Sequence, residues 1–204
     1  MTWRKPSSSS GSVKKKAVER PAARGRAAAG GGGAVGEILA PGLRVLFVGI
    51  NPGRVSAAAG HNFANSRNVF WRALWEAGFT PELLRPQDEG RLPSFGLGLT
   101  NSVSRVTAGS GDLTAADFDG ALERLEALAV RLSPGWLAFV GKDAYAPLFR
   151  PRRRVELGVQ EERLGGARVF VLPSTSPTNA AVTPAQKIAW FARLRAVAWA
   201  DGDD

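Results

Sequence analysis

Cysteine is absent from this chain of 204 residues, and histidine occurs once, as His61. The absence of cysteine excludes disulfides, thiolate metal sites and cysteine nucleophiles. A metal site built from several histidines is excluded too, and no cofactor is expected. No apolar run approaches the ~20 residues of a membrane-spanning helix, and the basic N-terminus lacks the apolar core of a secretory signal. These absences favour a soluble cytoplasmic protein, associated with the nucleoid if the source is bacterial.

Charge is distributed unevenly along the chain, whose net charge is +9. Residues 1–34 contain eight of the 27 lysines and arginines, against a single acidic residue, Glu19. This segment is rich in serine and glycine and cannot bury enough apolar surface to fold, so we predict a disordered basic arm. Residues 201–204 form an acidic tail. A mobile polycation suits a nucleic-acid partner, although such an arm could also serve solubility alone.

Four short apolar segments predict buried strands in the folded part, residues 35–200. Helical patterns separate them, and this alternation is typical of a parallel sheet covered on both faces. We therefore predict a single three-layer α/β domain with a mainly parallel central sheet of about four strands flanked by helices. The predicted strands are residues 43–50, 95–101, 136–140 and 168–172.

Five helices are predicted from apolar spacing and capping residues. The first begins near Asn65 and ends at Gly78, and its aromatic residues, Phe70, Trp71 and Trp75, are expected to be core rather than a base-stacking platform. A loop is predicted before it, from Arg54 to Phe63, and another at residues 86–90. The other helices are predicted at residues 81–84, 114–132, 143–149 and 183–200.

Polar groups follow each predicted strand. Asn51, Asn101, Gly141-Lys142 and the segment 174–176 come directly after apolar runs. In open α/β sheets, ligands bind at the carboxyl ends of the strands. This edge has amides, hydroxyls and an ammonium but no carboxylate pair, a set better suited to base edges and phosphates than to metal-assisted hydrolysis. Plain solvated turns remain the alternative.

Five collinear motifs carry a family resemblance: Gly49–Gly53, Gly60–Phe63, Asn68–Trp71, Gly98–Asn101 and Pro173–Ser176. Together they resemble the mismatch-specific uracil/thymine-DNA glycosylase family, within the uracil-DNA glycosylase superfamily, over residues 36 to 196. The resemblance implies a doubly wound α/β fold and a monofunctional DNA glycosylase in base excision repair. The enzyme would flip uracil, especially in U:G mismatches, out of double-stranded DNA and leave an abasic site. It would act as a monomer, without metal or cofactor.

The same resemblance implies roles for individual residues. Asn51 matches the residue that positions the attacking water, and Phe63 matches the ring that stacks on the flipped base. An amide is neutral near pH 7, so Asn51 can hold water but cannot act as a strong base. The glycosidic bond must then break largely before water attacks. The predicted substrate-binding residues are Ile50, Gly53, His61, Phe63 and Asn101, although His61 could equally be a loop histidine without a chemical role.

The loop after the last predicted strand departs from the family pattern. Thr178 stands where related sequences carry an arginine that fills the space left by the flipped base. We therefore expect weaker dependence on the opposite base. The predicted DNA-binding residues are Lys142, Ser174, Thr175, Ser176, Thr178 and Asn179, and the arginine run at residues 150–154 is a further phosphate-binding candidate.

Loop carboxylates could assist the water held by Asn51. Among Asp88, Glu89 and Asp112, we place Asp88 first, as a candidate catalytic residue, because its loop precedes the Asn101 strand. Two other function classes stay open. A non-catalytic nucleic-acid-binding module would bind DNA without releasing uracil. A nucleotide-binding domain of another class is disfavoured because neither Gly-x-Gly-x-x-Gly nor a Walker loop follows the first strand.

Overall fold

The computed structural model describes residues 1–2 and 35–200, and everything that follows concerns residues 35–200. The predicted basic arm, apart from its first two residues, and the predicted acidic tail lie outside the described residues. The described part contains five strands: β1 (Val45–Gly49), β2 (Leu97–Asn101), β3 (Trp136–Val140), β4 (Gly158–Leu164) and β5 (Ala167–Leu172). Its α-helices are α1 (Arg54–Ala59), α2 (Phe70–Glu76), α3 (Ala121–Leu132), α4 (Lys142–Phe149) and α5 (Pro184–Ala200).

The strands form one sheet in the order β2-β1-β3-β5-β4. All neighbours are parallel except β4, which pairs antiparallel with β5. The chain therefore moves outward from β1 in both directions, and the strand order reverses between β1 and β3. Such a reversal opens a crevice at the carboxyl edge of the sheet, where ligands bind.

The sheet is covered on both faces. One apolar cluster packs α2 and α5 against the sheet around Phe47, Phe70 and Phe191. The other packs α3 and α4 around Leu46 and Leu125. Because both faces are covered, β1 and β3 are apolar along their full length. The predicted three-layer α/β domain with a mainly parallel sheet is confirmed. Within the described residues no helix is long and apolar enough to cross a membrane.

The expected number of strands was one too low, because β4 was missed. This strand is at the edge of the sheet, its middle consists of four consecutive polar residues, 160–163, and only its end residues, Gly158 and Leu164, are buried. It joins β5 through Gly165-Gly166, both with positive φ. A Gly-Gly pair between two segments of this kind is a β-hairpin signal, and it was the available clue.

The helices next to β1 differ from the prediction in number and in where they begin. The predicted loop after β1 contains α1, which ends at Gly60 in the left-handed conformation. The helix expected from Asn65 begins only at Phe70, whose N–H is bonded to Asn68 Oδ1. Trp75 is 43% exposed rather than core.

Two other helices also differ from the prediction. No helix forms at residues 81–84, and a 3₁₀ helix, Pro86–Phe95, replaces the predicted loop. Thr114 and Asp117 cap a separate short 3₁₀ turn. The long helix starts only after Gly120, whose φ of 70° interrupts the backbone.

Candidate active site

A cavity of about 760 Å³ lies at the carboxyl edge of the sheet. Its walls come from the segments that follow β1, β2, β3 and β5, as the strand-end pattern predicts. Most of the predicted site residues line it, whereas His61 and Asp88 do not. Those that do are Ile50, Asn51, Gly53, Phe63, Asn101, Lys142, Ser174, Thr175, Ser176, Thr178 and Asn179.

The Asn51 side chain is held by its NH₂ group. Nδ2 donates to Thr107 Oγ1 at 2.7 Å and to the Arg105 carbonyl at 2.8 Å. Because these acceptors require the NH₂ group on their side, the carbonyl oxygen of the amide must point the other way. Within residues 35–200 no group donates a hydrogen bond to Asn51 Oδ1. The site therefore has an oriented acceptor that can bind a water molecule.

The loop after β2 orients Asn51, and sequence reasoning missed it. Thr107 is buried, and its hydroxyl donates to the Gly109 carbonyl, which leaves the oxygen to accept from Asn51. Arg105 binds Asp117 on the far side of the loop, with Nη2 and Oδ2 2.8 Å apart. Hydrogen bonds from Arg105 and then from the Thr114 N–H hold the pKa of Asp117 well below its usual range.

Phe63 presents a ring to the cavity. It stacks on Phe70, with centroids 3.9 Å apart and planes inclined by 13°. Phe63 lines the cavity and Phe70 does not, so the face of Phe63 away from Phe70 is available to a ligand. Its φ of 52° lies in the left-handed region, a conformation that costs a non-glycine residue ~1 kcal/mol or more and is typical of functional sites.

Asn101 closes the floor of the cavity beside Gly49, its register partner. A Cβ atom at Gly49 would lie 2.4 Å from Asn101 Oδ1 and 3.5 Å from the ring of Phe63. Glycine at position 49 therefore leaves the space that the Asn101 amide occupies. The backbone carbonyl of Asn101 accepts a hydrogen bond from Arg124, a residue of α3.

A buried carboxylate lies behind the cavity wall. Glu89 is 7% exposed; its Oε2 accepts two hydrogen bonds from Asn62, and its Oε1 contacts His61. Asn62 in turn accepts a hydrogen bond from Asn101 Nδ2 at 3.4 Å. His61 therefore contacts this buried carboxylate, is itself half-buried, and does not line the cavity.

The prediction that Asp88 is the first candidate carboxylate is not supported by its position. Its side chain accepts a hydrogen bond from the N–H of Arg85 at 3.0 Å and so caps the 3₁₀ helix. In that helix adjacent residues point in different directions, and the neighbour Glu89 is the one turned toward the site. Only the burial of Glu89, which no local pattern encodes, distinguishes the two.

Hydrogen bonds from a buried lysine hold the loop after β5 in place. Lys187, in the first turns of α5, is 2% exposed, and its ammonium donates to the carbonyls of Ser176 and Asn179 at 3.0 and 2.9 Å. Burial lowers the pKa of Lys187. Thr175 is 1% exposed, so its side chain is not presented to DNA as predicted, whereas Thr178 is exposed.

Cationic side chains surround the mouth of the cavity. Arg54, Arg67 and Arg154 are exposed and line it, and they had not been selected individually from the sequence. Lys142 also lines it, but its ammonium donates to the Val155 carbonyl, which limits the phosphate contact predicted for it. In the described part of the chain, no group of three or more His, Asp or Glu side chains could hold a metal ion.

The fold and the cavity together define an α/β protein whose cavity lies at the carboxyl edge of a mainly parallel sheet. The family model of the uracil DNA glycosylase superfamily matches residues 37–195, and the chain belongs to this superfamily. Membership implies a DNA glycosylase, a hydrolase of N-glycosidic bonds that acts on DNA in base excision repair.

Among solved structures, the chain is similar to a candidate uracil DNA glycosylase from Methanosarcina acetivorans, determined by NMR in solution. The TM-score is 0.54 at 20% sequence identity, and the match covers 79% of this chain and 95% of the other. At this identity the likeness establishes the shared fold.

Proposed function

We propose that this protein is a monofunctional uracil-DNA glycosylase of the mismatch-specific type. It would flip uracil, including uracil opposite guanine, out of duplex DNA and hydrolyse its N-glycosidic bond. The observation that carries the proposal is the Asn51 amide, held at its NH₂ end by Thr107 with its oxygen left to accept from water. The proposal requires neither a cofactor nor a second copy of the chain.

The contacts of the cavity support a mechanism driven by the leaving group. Extruding a base costs a few kcal/mol, least at a mismatch, and stacking on the free face of Phe63 would return ~1–3 kcal/mol. Asn51 is too weak a base to take the proton early. The bond from sugar to base would therefore break first, through an oxocarbenium-like sugar. The water bound by Asn51 would then add to C1′ and lose its proton to solvent.

Asn101 would recognise the departing base. Uracil presents the N3–H donor between two carbonyl acceptors, and an amide can pair with one donor and one acceptor at once. One Nδ2 hydrogen of Asn101 is directed to Asn62, which leaves the other hydrogen and Oδ1 for the base. Donation to a uracil oxygen would also stabilise the negative charge that develops on the base as the bond breaks.

The deciding experiment uses the full chain and an end-labelled duplex with one uracil. Release of uracil, followed by alkali cleavage at the abasic site, is the expected result. Duplex binding without release would overturn the proposal and favour a non-catalytic nucleic-acid-binding module.

Uracil opposite guanine and uracil opposite adenine are expected to be excised at comparable rates. The loop after β5 has only small side chains at its exposed tip, such as Thr178. It therefore has no large group to fill the gap that the flipped base leaves in the duplex or to contact the orphan guanine. Single-turnover rates on two duplexes that differ only in the opposite base test this. A strict preference for guanine would contradict it.

Replacing Arg154 with alanine is expected to weaken duplex binding and to lower the slope of log K against log salt by about one, the loss of one phosphate contact. Arg154 is exposed at the mouth of the cavity. The matched control is Arg152→Ala, an exposed arginine two residues away that does not line it. Equal slopes for the two variants would place the phosphate contact elsewhere.

A further inference from the structure

Glu89 does not line the cavity, but it is hydrogen-bonded to Asn62, a residue that does. A buried carboxylate is costly unless it is hydrogen-bonded. Glu89 Oε2 accepts from the Asn62 N–H at 2.9 Å and from Asn62 Nδ2 at 3.0 Å, and Oε1 lies 3.0 Å from His61 Nδ1. Three contacts from two adjacent residues therefore fix the carboxylate in one rotamer.

The Asn62 amide can adopt only one orientation in this setting. Its Nδ2 donates to the Gly36 carbonyl at 2.8 Å as well as to Glu89. Both hydrogens of the NH₂ group are thus used. A flipped amide would place Oδ1 against two acceptors, with repulsion in place of two hydrogen bonds. Asn62 Oδ1 is consequently held on the side of Asn101, from whose Nδ2 it accepts a hydrogen bond.

The fixed position of Asn62 Oδ1 also sets the orientation of the Asn101 amide, which donates to it. Its NH₂ group faces the acceptor on Asn62, and its Oδ1 lies over Gly49 at the cavity floor. We propose that Glu89 is a positioning residue: through Asn62, it fixes the Asn101 amide in the orientation that reads uracil. This inference rests on the function proposed above, because the orientation matters only if Asn101 contacts the base.

The orientation has a chemical consequence. Uracil offers N3–H as a donor, whereas cytosine offers N3 as an acceptor and its amino group as a donor. The two bases therefore require opposite orientations of the same amide. With Glu89 in place, a flip of Asn101 would bring its Oδ1 against Asn62 Oδ1. The buried carboxylate thus favours uracil over cytosine without contacting either base.

Two substitutions at Glu89 test this. Glu89→Met keeps the length of the side chain but removes both acceptor oxygens, so the Asn62 amide loses a partner. Glu89→Gln keeps one oxygen for Asn62 and offers its NH₂ group to His61 Nδ1. We expect Glu89→Met to lower the single-turnover rate of uracil release about tenfold, the equivalent of one hydrogen bond, with unchanged affinity for an abasic-site duplex. Glu89→Gln should restore most of the rate.

Asn62→Ala provides a second route to the same result. It removes the acceptor for Asn101, while Glu89 keeps the backbone N–H and His61. If the three residues act in series, the double variant Glu89→Met/Asn62→Ala loses no more rate than Asn62→Ala alone. Independent, additive losses would overturn the proposal, and so would a Glu89→Gln variant as slow as Glu89→Met.

A readout that needs no activity separates this inference from the proposed function. In side-chain amide NMR spectra, the Asn62 NH₂ signals are expected to exchange slowly in the wild-type protein and Glu89→Gln, and rapidly in Glu89→Met. Unchanged exchange in Glu89→Met would overturn the proposal. If the exchange pattern is as expected but the wild-type protein releases no uracil, the proposed function fails and the orienting contact from Glu89 stands.

Discussion

Replacing Asn51 with alanine is expected to slow uracil release by about 100- to 1,000-fold, the cost of removing one group that acts in the transition state. Affinity for duplex DNA should be nearly unchanged. The amide lines the cavity and is held at its NH₂ end by Thr107 and Arg105, so its loss removes the acceptor proposed to orient water. Stacking on Phe63 and phosphate contacts at the cavity mouth would remain.

The measurement compares single-turnover rates with equilibrium binding to an uncleavable duplex. A matched control is Asn65→Ala, which also removes a cavity-lining asparagine. Asn65 Oδ1 already accepts a hydrogen bond from the Arg67 N–H at 2.9 Å, so this variant should keep most of the rate. If Asn51→Ala lost affinity and rate in equal measure, Asn51 would be a binding residue and the proposed water position would be wrong.

Gly49→Ala is expected to reduce the rate of uracil release by about 100-fold, the usual cost of misplacing a reacting group by ~1 Å. The new methyl group would lie 2.4 Å from Asn101 Oδ1 and would force that amide to rotate away. The rotation would break the bond to Asn62 and move the base-reading group. The stability cost should stay at ~1 kcal/mol, because the side chain that must move is a terminal amide.

Gly98→Ala is the control for Gly49→Ala and should show the opposite pattern. Gly98 is in β2, and a Cβ atom there would lie 2.7 Å from the Ile38 carbonyl and 2.5 Å from Leu43. Backbone cannot rotate away, so this variant should lose more stability, while the cavity groups stay in place. Thermal unfolding and single-turnover rates are measured on both variants. Gly49→Ala should lose mainly rate, and Gly98→Ala should lose mainly stability. Parallel losses in stability and rate for both would show that Gly49 acts only in packing.

The positions of Asn51 and Asn101 were predictable because each follows an apolar strand. Parallel strands bring their carboxyl ends to one edge, so two residues 50 positions apart could be placed together without coordinates. The same rule places the loop after β5 at this edge. That helices cover both faces of the sheet was also predictable, because it follows from the alternation of strand and helix patterns. Only the structure assigns α2 and α5 to one face and α3 and α4 to the other.

The partners of those residues were not predictable. Thr107 bonds to Asn51 across 56 positions, and Glu89 bonds to Asn62 across 27. Nothing in the local pattern distinguishes Glu89 from Asp88, because each is an acidic residue in a polar stretch. Lys142 shows the reverse case: an ammonium after a strand suggested a phosphate contact, and the fold brings the Val155 carbonyl to it.

The sequence by itself determined the layers of this protein, the edge at which its cavity lies and the amide side chains that reach it. These features follow from the periods of apolar residues and from strand ends, which are local properties. Only the tertiary structure decided which way each amide points. That orientation depends on hydrogen bonds between segments distant in the chain, Thr107 for Asn51 and Glu89 through Asn62 for Asn101, and an amide has no preferred orientation until its partners are in place.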